Sequence, residues 1–323
     1  MQAIFAVTVP FFALVLCGYL AAARRVLPES AIPGLNGFVL FFALPCLLFR
    51  FGTSLPVREL LDPAVLGLYL AVALALVGGT VWLTRRAVGL KDAAFGALVA
   101  AFPNSGFMGV PLIVALLGPG ASGPILTTLL VDLFVTSSLC IALAQTHRAG
   151  SGPQGGPSPL ARALRGALGN PLPWAITLGV ASAALGWRLP GPADKVVAML
   201  ADAATPVALF TIGAVLWRAG QHAHTRTPVA RYLPIAVVKL LLHPLLVYGA
   251  GRALQAGGIA LSDLQLMVLT LAAALPSASN VSLLAERYGA DNGRVARIIL
   301  ASTAVSFLSF SALVGLFGIR PGG

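Results

Sequence analysis

The chain has 323 residues, of which 58% are hydrophobic and 10% charged, and its formal net charge is +11. A soluble globular domain carries about 25% charged residues, so this composition excludes a soluble protein. The basic residues lie between long apolar runs, and the positive charge therefore indicates membrane orientation rather than a nucleic-acid surface.

Each apolar run is about as long as the roughly 20 residues that a bilayer-spanning helix needs. The runs predict an all-α membrane protein with ten transmembrane helices. In chain order the predicted helices cover residues 2–22, 35–54, 64–84, 93–117, 122–146, 172–187, 195–217, 230–250, 264–288 and 293–318. The first run follows Met1 directly and lacks the positively charged start of a signal peptide, so we expect it to remain as a helix.

The stretch AGSGPQGGPSP, at residues 149–159, has the composition of a flexible linker. It divides the ten helices into two groups of five. The sequence therefore predicts a first five-helix repeat over residues 1–146, a linker over 147–170 and a second five-helix repeat over 171–323.

Fourteen lysines and arginines fall in the loops after the odd-numbered helices, and six fall on the opposite side. Because cytoplasmic loops carry the excess of positive charge, this bias predicts a multi-pass protein of the bacterial inner membrane with both termini outside and the linker in the cytoplasm. Five helices in each half then give the two halves opposite orientations.

Two patterns recur in the two halves. The segment ALPCLLF around Pro45 and the segment ATPVALF around Pro206 share three identities in one register. Pro103 interrupts the fourth helix in AAFPNSG, and Pro276 interrupts the ninth in AAALPSASN. Paired Pro-interrupted segments in two halves indicate inverted repeats with a binding site at the interruptions, although proline is also common in ordinary membrane helices.

The interruptions in the fourth and ninth helices form the predicted substrate site. Backbone groups that proline frees at mid-membrane depth are tolerated only beside protein or a polar cavity. If the breaks cross, two half-helix N-termini with partial positive charge suit a carboxylate, and the C-terminal carbonyls could hold a cation. The alternative is a simple kink whose polar residues bond to the backbone. The predicted substrate-binding residues are Pro103, Asn104, Ser105, Gly106, Pro276, Ser277, Ser279 and Asn280.

Four ionisable side chains within the predicted helices are candidates for an electrostatic or coupling role. They are Lys239, His243, Asp132 and Asp202. Lys239 lies about 12 Å of helix rise from either end of the eighth helix, and His243 follows one turn later on the same face. We expect Lys239 to create a positive potential at the site. The alternative is a buried structural pair with one of the aspartates, and either aspartate could instead carry a proton.

Five segments together resemble the auxin efflux carrier family, whose bacterial members are often called malate or malonate permeases. They are FPNSGFMGVPL, NPLPWAITLG, TPVALFTIGAVL, KLLLHPLL and LAERYGAD, in the fourth, sixth, seventh and eighth helices and after the ninth. The resemblance implies two inverted five-helix repeats, as in sodium/proton antiporters, with helices four and nine crossed in a mobile transport domain. It also implies a scaffold of helices one, two, six and seven, which would supply the surface for a homodimer. The short linker differs from the long cytoplasmic loop of plant members.

The sequence thus predicts a secondary transporter for small organic anions such as carboxylates, working by alternating access of an elevator type. One alternative is a cation-coupled antiporter or symporter of the same fold, which the lack of an acidic residue beside Pro103 or Pro276 disfavours. Another is a non-transporting sensor, which we would expect to carry a soluble domain. No His-Glu-x-x-His motif or metal-spaced cysteine set occurs, so no enzymatic activity, metal or cofactor is predicted. The expected partners are the anion and the lipid bilayer.

Overall fold

The computed structural model describes residues 2–54, 62–146, 171–221 and 227–319, so the predicted linker and the extreme C-terminus lie outside the described residues. In chain order the helices are α1 (Gln2–Ala23), α2 (Glu29–Thr53), α3 (Pro63–Val88), α4a (Leu90–Ala101), α4b (Ser105–Leu117), α5 (Pro119–Gln145), α6 (Pro171–Ala184), α7 (Gly191–Gln221), α8 (Val229–Ala256), α9a (Asp263–Ala274), α9b (Val281–Tyr288) and α10 (Asn292–Leu316). The prediction of an all-α membrane protein is confirmed. In the described ranges seven helices are long and apolar enough to cross a membrane, and α4b, α6 and α9a are shorter apolar helices.

Helix occurs at each of the ten predicted runs, but two ends lie well outside the predicted bounds. Helix α2 opens with a 3-10 turn over Glu29–Ala31, and Pro33 lies in the first turn of the α-helical part that follows, where its missing N–H has no intrahelical partner to lose. Helix α8 continues to Ala256 through Gly251, which was predicted to lie beyond its end. A Cβ at Gly251 would lie 2.2 Å from the Leu266 side chain, so this glycine serves close helix packing rather than a helix stop.

Local chemistry explains several helix ends. Asp62 accepts hydrogen bonds from the backbone N–H groups of Ala64 and Val65 at the start of α3. Asp291 caps α10 through the N–H of Arg294, and Gly289 ends α9b in the left-handed conformation with φ 66°. Such side-chain acceptors and glycine stops satisfy the backbone groups that a helix leaves unpaired at its ends.

One group of helices packs through glycines at very short backbone distances. Helix α1 lies along α7, and α2 lies along α6. A Cβ at Gly18 would lie 1.8 Å from the Phe210 carbonyl oxygen, and one at Gly179 would lie 2.3 Å from the Phe49 carbonyl oxygen. The reverse contacts are Gly213 against the Val15 carbonyl and Gly52 against the Ile176 carbonyl. Residues without a side chain let these membrane helices approach closely.

The second group contains the two interrupted helices. Helix α3 packs against α4a, α8 packs against α9a, and α5 and α10 fill the space between them. The buried apolar core of the protein runs mainly through α4a, α4b, α5, α9a and α10. The interruptions lie where this second group meets α2, α6 and α7.

Candidate functional site

The two helix interruptions pair with each other. Helix α4a ends at Ala101 and α9a at Ala274, and the extended segments that follow run antiparallel. The N–H of Asn104 donates to the Pro276 carbonyl at 2.8 Å, and the N–H of Ala278 donates to the Phe102 carbonyl at 3.0 Å. Each break thus supplies the hydrogen bonds that the other has lost, as buried backbone at membrane depth requires.

Side chains from neighbouring elements bind the exposed carbonyls at the C-terminal ends of the half-helices. The Ser277 hydroxyl donates to the Val99 carbonyl of α4a at 2.6 Å. The Lys239 ammonium, from α8, donates to the Ala273 carbonyl of α9a at 2.7 Å. A cation at the negative end of a helix dipole is stabilising, so Lys239 both satisfies this carbonyl and neutralises the end of α9a.

Two small cavities lie beside the paired breaks, on either side of Phe107. The first, of about 20 Å³, is lined by Asn104 and Asn280 and closed by Leu44 of α2 and Leu172 of α6. The second, of about 10 Å³, is lined by residues Asn36, Val39, Phe107, Ala208, Thr211, Ile212, Val215 and Ser279. Each cavity has room for at most about one water molecule. An organic anion does not fit, so this conformation is closed.

The predicted substrate residues divide between cavity lining and pairing of the breaks. Pro103, Asn104, Gly106 and Asn280 line the first cavity, and Ser279 lines the second.

The remaining residues in the predicted set have other positions. Pro276 and Ser277 pair the breaks instead. The hydroxyl of Ser105 is buried, and neither it nor the buried Asn280 side-chain oxygen has a hydrogen-bond partner among the described residues. The Asn280 oxygen lines the first cavity, where a polar atom without a partner is available to a ligand, whereas Ser105 lines neither cavity.

The N-terminal ends of α4b and α9b also face this region. Helix α4b begins at Ser105 and α9b at Val281, immediately after the cavity residues Asn104 and Asn280. Each helix N-terminus carries about half a positive elementary charge and backbone N–H donors. Together with the two asparagine amides, they make an environment that favours a carboxylate.

Two polar residues of this region were not predicted. Asn36 of α2 and the buried Thr211 of α7 line the second cavity, opposite Ser279. Isolated polar residues in apolar helices are common, and only the packing around Phe107 reveals that these two face the breaks. The sequence signal that could have found them is their place on the helices that the resemblance assigns to the scaffold.

The four candidate charged residues are not together at the cavities. Lys239 and His243 are fully buried in α8, with Lys239 Nζ 3.1 Å from His243 Nδ1. Asp132 is fully buried in α5 and accepts hydrogen bonds from Tyr69 at 2.9 Å and Thr136 at 3.1 Å.

Asp202 lies apart from these buried residues. Its side chain is 78% exposed and its carboxylate is 3.6 Å from the Arg50 guanidinium, so the suggested pair with Lys239 is not observed. Lys239 reaches the site through the end of α9a rather than through the cavity lining.

A larger groove of about 1030 Å³ lies between α3 and α8, away from the breaks. Apart from Asp62, its lining consists of alanine, glycine, leucine, isoleucine, valine and proline residues. A carboxylate needs positive charge or hydrogen-bond donors, so the paired breaks are the better candidate for an anion site in spite of their small cavities.

The chain matches a protein family described as "Membrane transport protein" over residues 3–154 and 157–314. It is 32% identical over 328 residues to a putative malonate transporter of Rhizobium meliloti (strain 1021), covering 100% of this chain and 98% of that protein. An uncharacterized transporter of Methanothermobacter thermautotrophicus is 29% identical, with 92% of each chain covered. The uncharacterized transporter YfdV of Escherichia coli (strain K12) is 28% identical, over 93% of this chain and 92% of its own.

Proposed function

The chain belongs to the membrane transport protein family, as its resemblance to the auxin efflux carriers predicted, and we propose that it carries small organic dianions of the malonate type. It is a multi-pass membrane transporter and not an enzyme. The substrate binds at the paired breaks, between α4 and α9 on one side and α2, α6 and α7 on the other.

One observation carries this proposal: two half-helix N-termini and two asparagines meet at a single buried cavity. Two termini of about half a charge each offset roughly one negative charge of a carboxylate. The relative described as a putative malonate transporter agrees with a dicarboxylate of this size. The Lys239 ammonium already binds the Ala273 carbonyl of α9a, and the Ser277 hydroxyl already binds the Val99 carbonyl of α4a. These two half-helix C-termini therefore do not support a site for a coupling cation.

The glycine contacts support the inverted repeat. Gly18 and Gly179 are separated along the chain by the same number of residues as Pro45 and Pro206, and so are Gly52 and Gly213. The contact of Gly18 in the first half with Phe210 in the second half thus corresponds to the contact of Gly179 in the second half with Phe49 in the first half. We therefore propose that α1 and α2 repeat as α6 and α7, and that the same relation brings α4 and α9 together.

We propose an elevator movement of the second helix group against this glycine-packed scaffold. The cavities lie at the boundary between the two groups, so sliding of one group opens them without breaking either core. Leu44 and Leu172, which close the first cavity, belong to α2 and α6 of the scaffold. Displacing α4 and α9 past these two leucines exposes the paired breaks to one side of the membrane.

The function is tested by counterflow in proteoliposomes, with radiolabelled malonate exchanged against a panel of unlabelled dicarboxylates. Asn104→Leu removes a polar group of similar size, and we expect loss of more than nine-tenths of the exchange rate because the carboxylate loses a donor in a dry site (about 2 kcal/mol or more). The matched control is Asn292→Leu, at the start of α10, which should exchange normally. Wild-type exchange by Asn104→Leu would remove the paired breaks from the substrate site.

A further inference from the structure

A cluster of ionisable side chains, all fully buried, joins four helices behind the paired breaks. Tyr69 comes from α3, Asp132 from α5, and Lys239 and His243 from α8. Tyr69 donates to the Asp132 carboxylate, and the Tyr69 and His243 rings lie 6.0 Å apart. Lys239 links the cluster to the Ala273 carbonyl of α9a. Ionisable groups at membrane depth are costly and occur mainly where they serve transport.

The cluster contains a polar atom that its present partners do not satisfy. His243 Nδ1 lies 3.1 Å from Lys239 Nζ, whereas His243 Nε2 is buried and has no hydrogen-bond partner among the described residues. If the lysine is an ammonium, Nδ1 accepts and Nε2 must carry a hydrogen without an acceptor. If Nδ1 carries the hydrogen, the lysine must be a neutral amine. In either state His243 Nε2 lacks a partner among the described residues, as a donor in the first and as an acceptor in the second. An unsatisfied buried group calls for an explanation, and a functional role is one of them.

We propose that this cluster binds one proton for each anion transported, with Asp132 as the acceptor. The proposal rests on the function proposed above. The proton comes from water on one side of the membrane and returns to water on the other. With Asp132 ionised and Lys239 charged the cluster is neutral, and protonation of Asp132 leaves one net positive charge. The neighbouring Thr136 hydroxyl and Cys140 thiol add no charge, and α9a contributes the Ala273 carbonyl.

The anion and the proton favour each other through α9a. Lys239 donates a hydrogen bond to the Ala273 carbonyl of α9a. Three residues later, the Pro276 carbonyl accepts a hydrogen bond from the N–H of Asn104, which lines the cavity. A buried net positive charge is unfavourable alone, but an anion at the breaks compensates it at short range. Linkage is reciprocal, so the bound proton strengthens anion binding by the same factor. The structure buries the cluster completely, so proton exchange with water requires an opening of the second helix group.

The test uses full-length protein in proteoliposomes that contain a pH-sensitive dye, with malonate or the dicarboxylate that shows counterflow. We expect substrate uptake to carry protons inward at one per anion. A dianion moving with one proton carries one net negative charge, so the membrane potential is held at zero with potassium and valinomycin. Under this clamp an outside-acid gradient should raise the limiting accumulation about tenfold per pH unit, because one pH unit and a tenfold concentration ratio are equal free energies. Asp132→Asn should keep counterflow, which needs no net proton movement, but lose gradient-driven accumulation. The matched control Asp202→Asn, at the exposed pair with Arg50, should keep both.

The outcomes separate the two proposals. Absence of counterflow with every dicarboxylate refutes the function itself. Counterflow and net uptake without proton movement, or proton-driven uptake by Asp132→Asn, overturns the proton site and leaves the function standing. If Asp132→Asn does not fold, Tyr69→Phe removes a hydroxyl that favours the ionised carboxylate. It should move the pH of half-maximal uptake upward by about one unit, and an unmoved profile also overturns the proposal.

Discussion

Replacing Lys239 with methionine should destabilise the protein far more than it weakens substrate binding. The ammonium is fully buried and donates to the Ala273 carbonyl, and the fully buried Asp132 of α5 is the carboxyl group of the same cluster. Methionine keeps most of the volume but leaves the α9a carbonyl unpaired and the carboxylate without its counter-charge. Removing a buried charge so that an opposite buried charge and a carbonyl stay uncompensated costs about 3–5 kcal/mol. At roughly 2–4 °C per kcal/mol, the midpoint of thermal unfolding should fall by about 10 °C.

A double-mutant cycle in detergent isolates the charge interaction. The second single variant is Asp132→Asn, and the double variant Lys239→Met/Asp132→Asn leaves no uncompensated charge. We expect the double variant to be more stable than the sum of the single effects predicts, by about 1–3 kcal/mol. Lys239→Arg should also be less stable than the wild type, because the larger guanidinium has no space at a fully buried position. Strictly additive losses, or an unchanged melting temperature with a raised KM, would show that Lys239 acts on substrate directly and refute this reasoning.

Three other predictions concern packing, topology and the N-terminal end of α10. Gly18→Ala and Gly179→Ala should lower the unfolding midpoint in detergent by similar amounts, about 5 °C each. The control Gly78→Ala should leave the midpoint unchanged, because a Cβ at Gly78 meets nothing within 4 Å. Unequal effects of the first two variants would argue against the repeat. Cysteines at positions 152 and 323, outside the described residues, should be labelled from the cytoplasm and from outside respectively, and the opposite pattern would invert the predicted orientation. Arg294→Met should lower the free energy of unfolding by about 2–4 kcal/mol, because the Arg294 guanidinium donates to the Arg231 and Asp92 carbonyls. The control Arg287→Met, at an exposed position, should change the free energy of unfolding by less than about 0.5 kcal/mol.

The helices and their interruptions could be predicted because their causes are local. A proline removes one backbone donor and clashes with the preceding turn wherever the helix lies. Pro103 and Pro276 therefore mark the breaks in the sequence itself, and the structure has extended backbone at both. The hydrogen bonds between the two breaks depend on how distant segments pack. No pattern around either proline specifies that Asn104 donates to Pro276.

The roles of the charged residues could not be predicted because similar sequence contexts lead to different surroundings. Asp132 and Asp202 both interrupt apolar runs, yet one is fully buried and the other is 78% exposed beside Arg50. Lys239 was expected near the substrate because it lies deep in a helix. Lys239 is fully buried, but the direction of its side chain depends on the rotation of α8 against α9a, which hydropathy does not encode. Asn36 and Thr211 were missed for the same reason.

Groups of different charge bind the two half-helix C-termini, and this difference affects which substrate charge the site favours. Four half-helix ends meet near the breaks, two with about half a positive charge and two with about half a negative charge, so the dipoles alone nearly cancel. A neutral hydroxyl, from Ser277, binds the end of α4a, whereas a full positive charge, from Lys239, binds the end of α9a. The balancing carboxylate of Asp132 is turned toward Tyr69 and Thr136, whose hydroxyls bind both of its oxygens. This imbalance supports the proposal that the positive potential of the α4b and α9b N-termini prevails at the cavity and that the substrate is an anion.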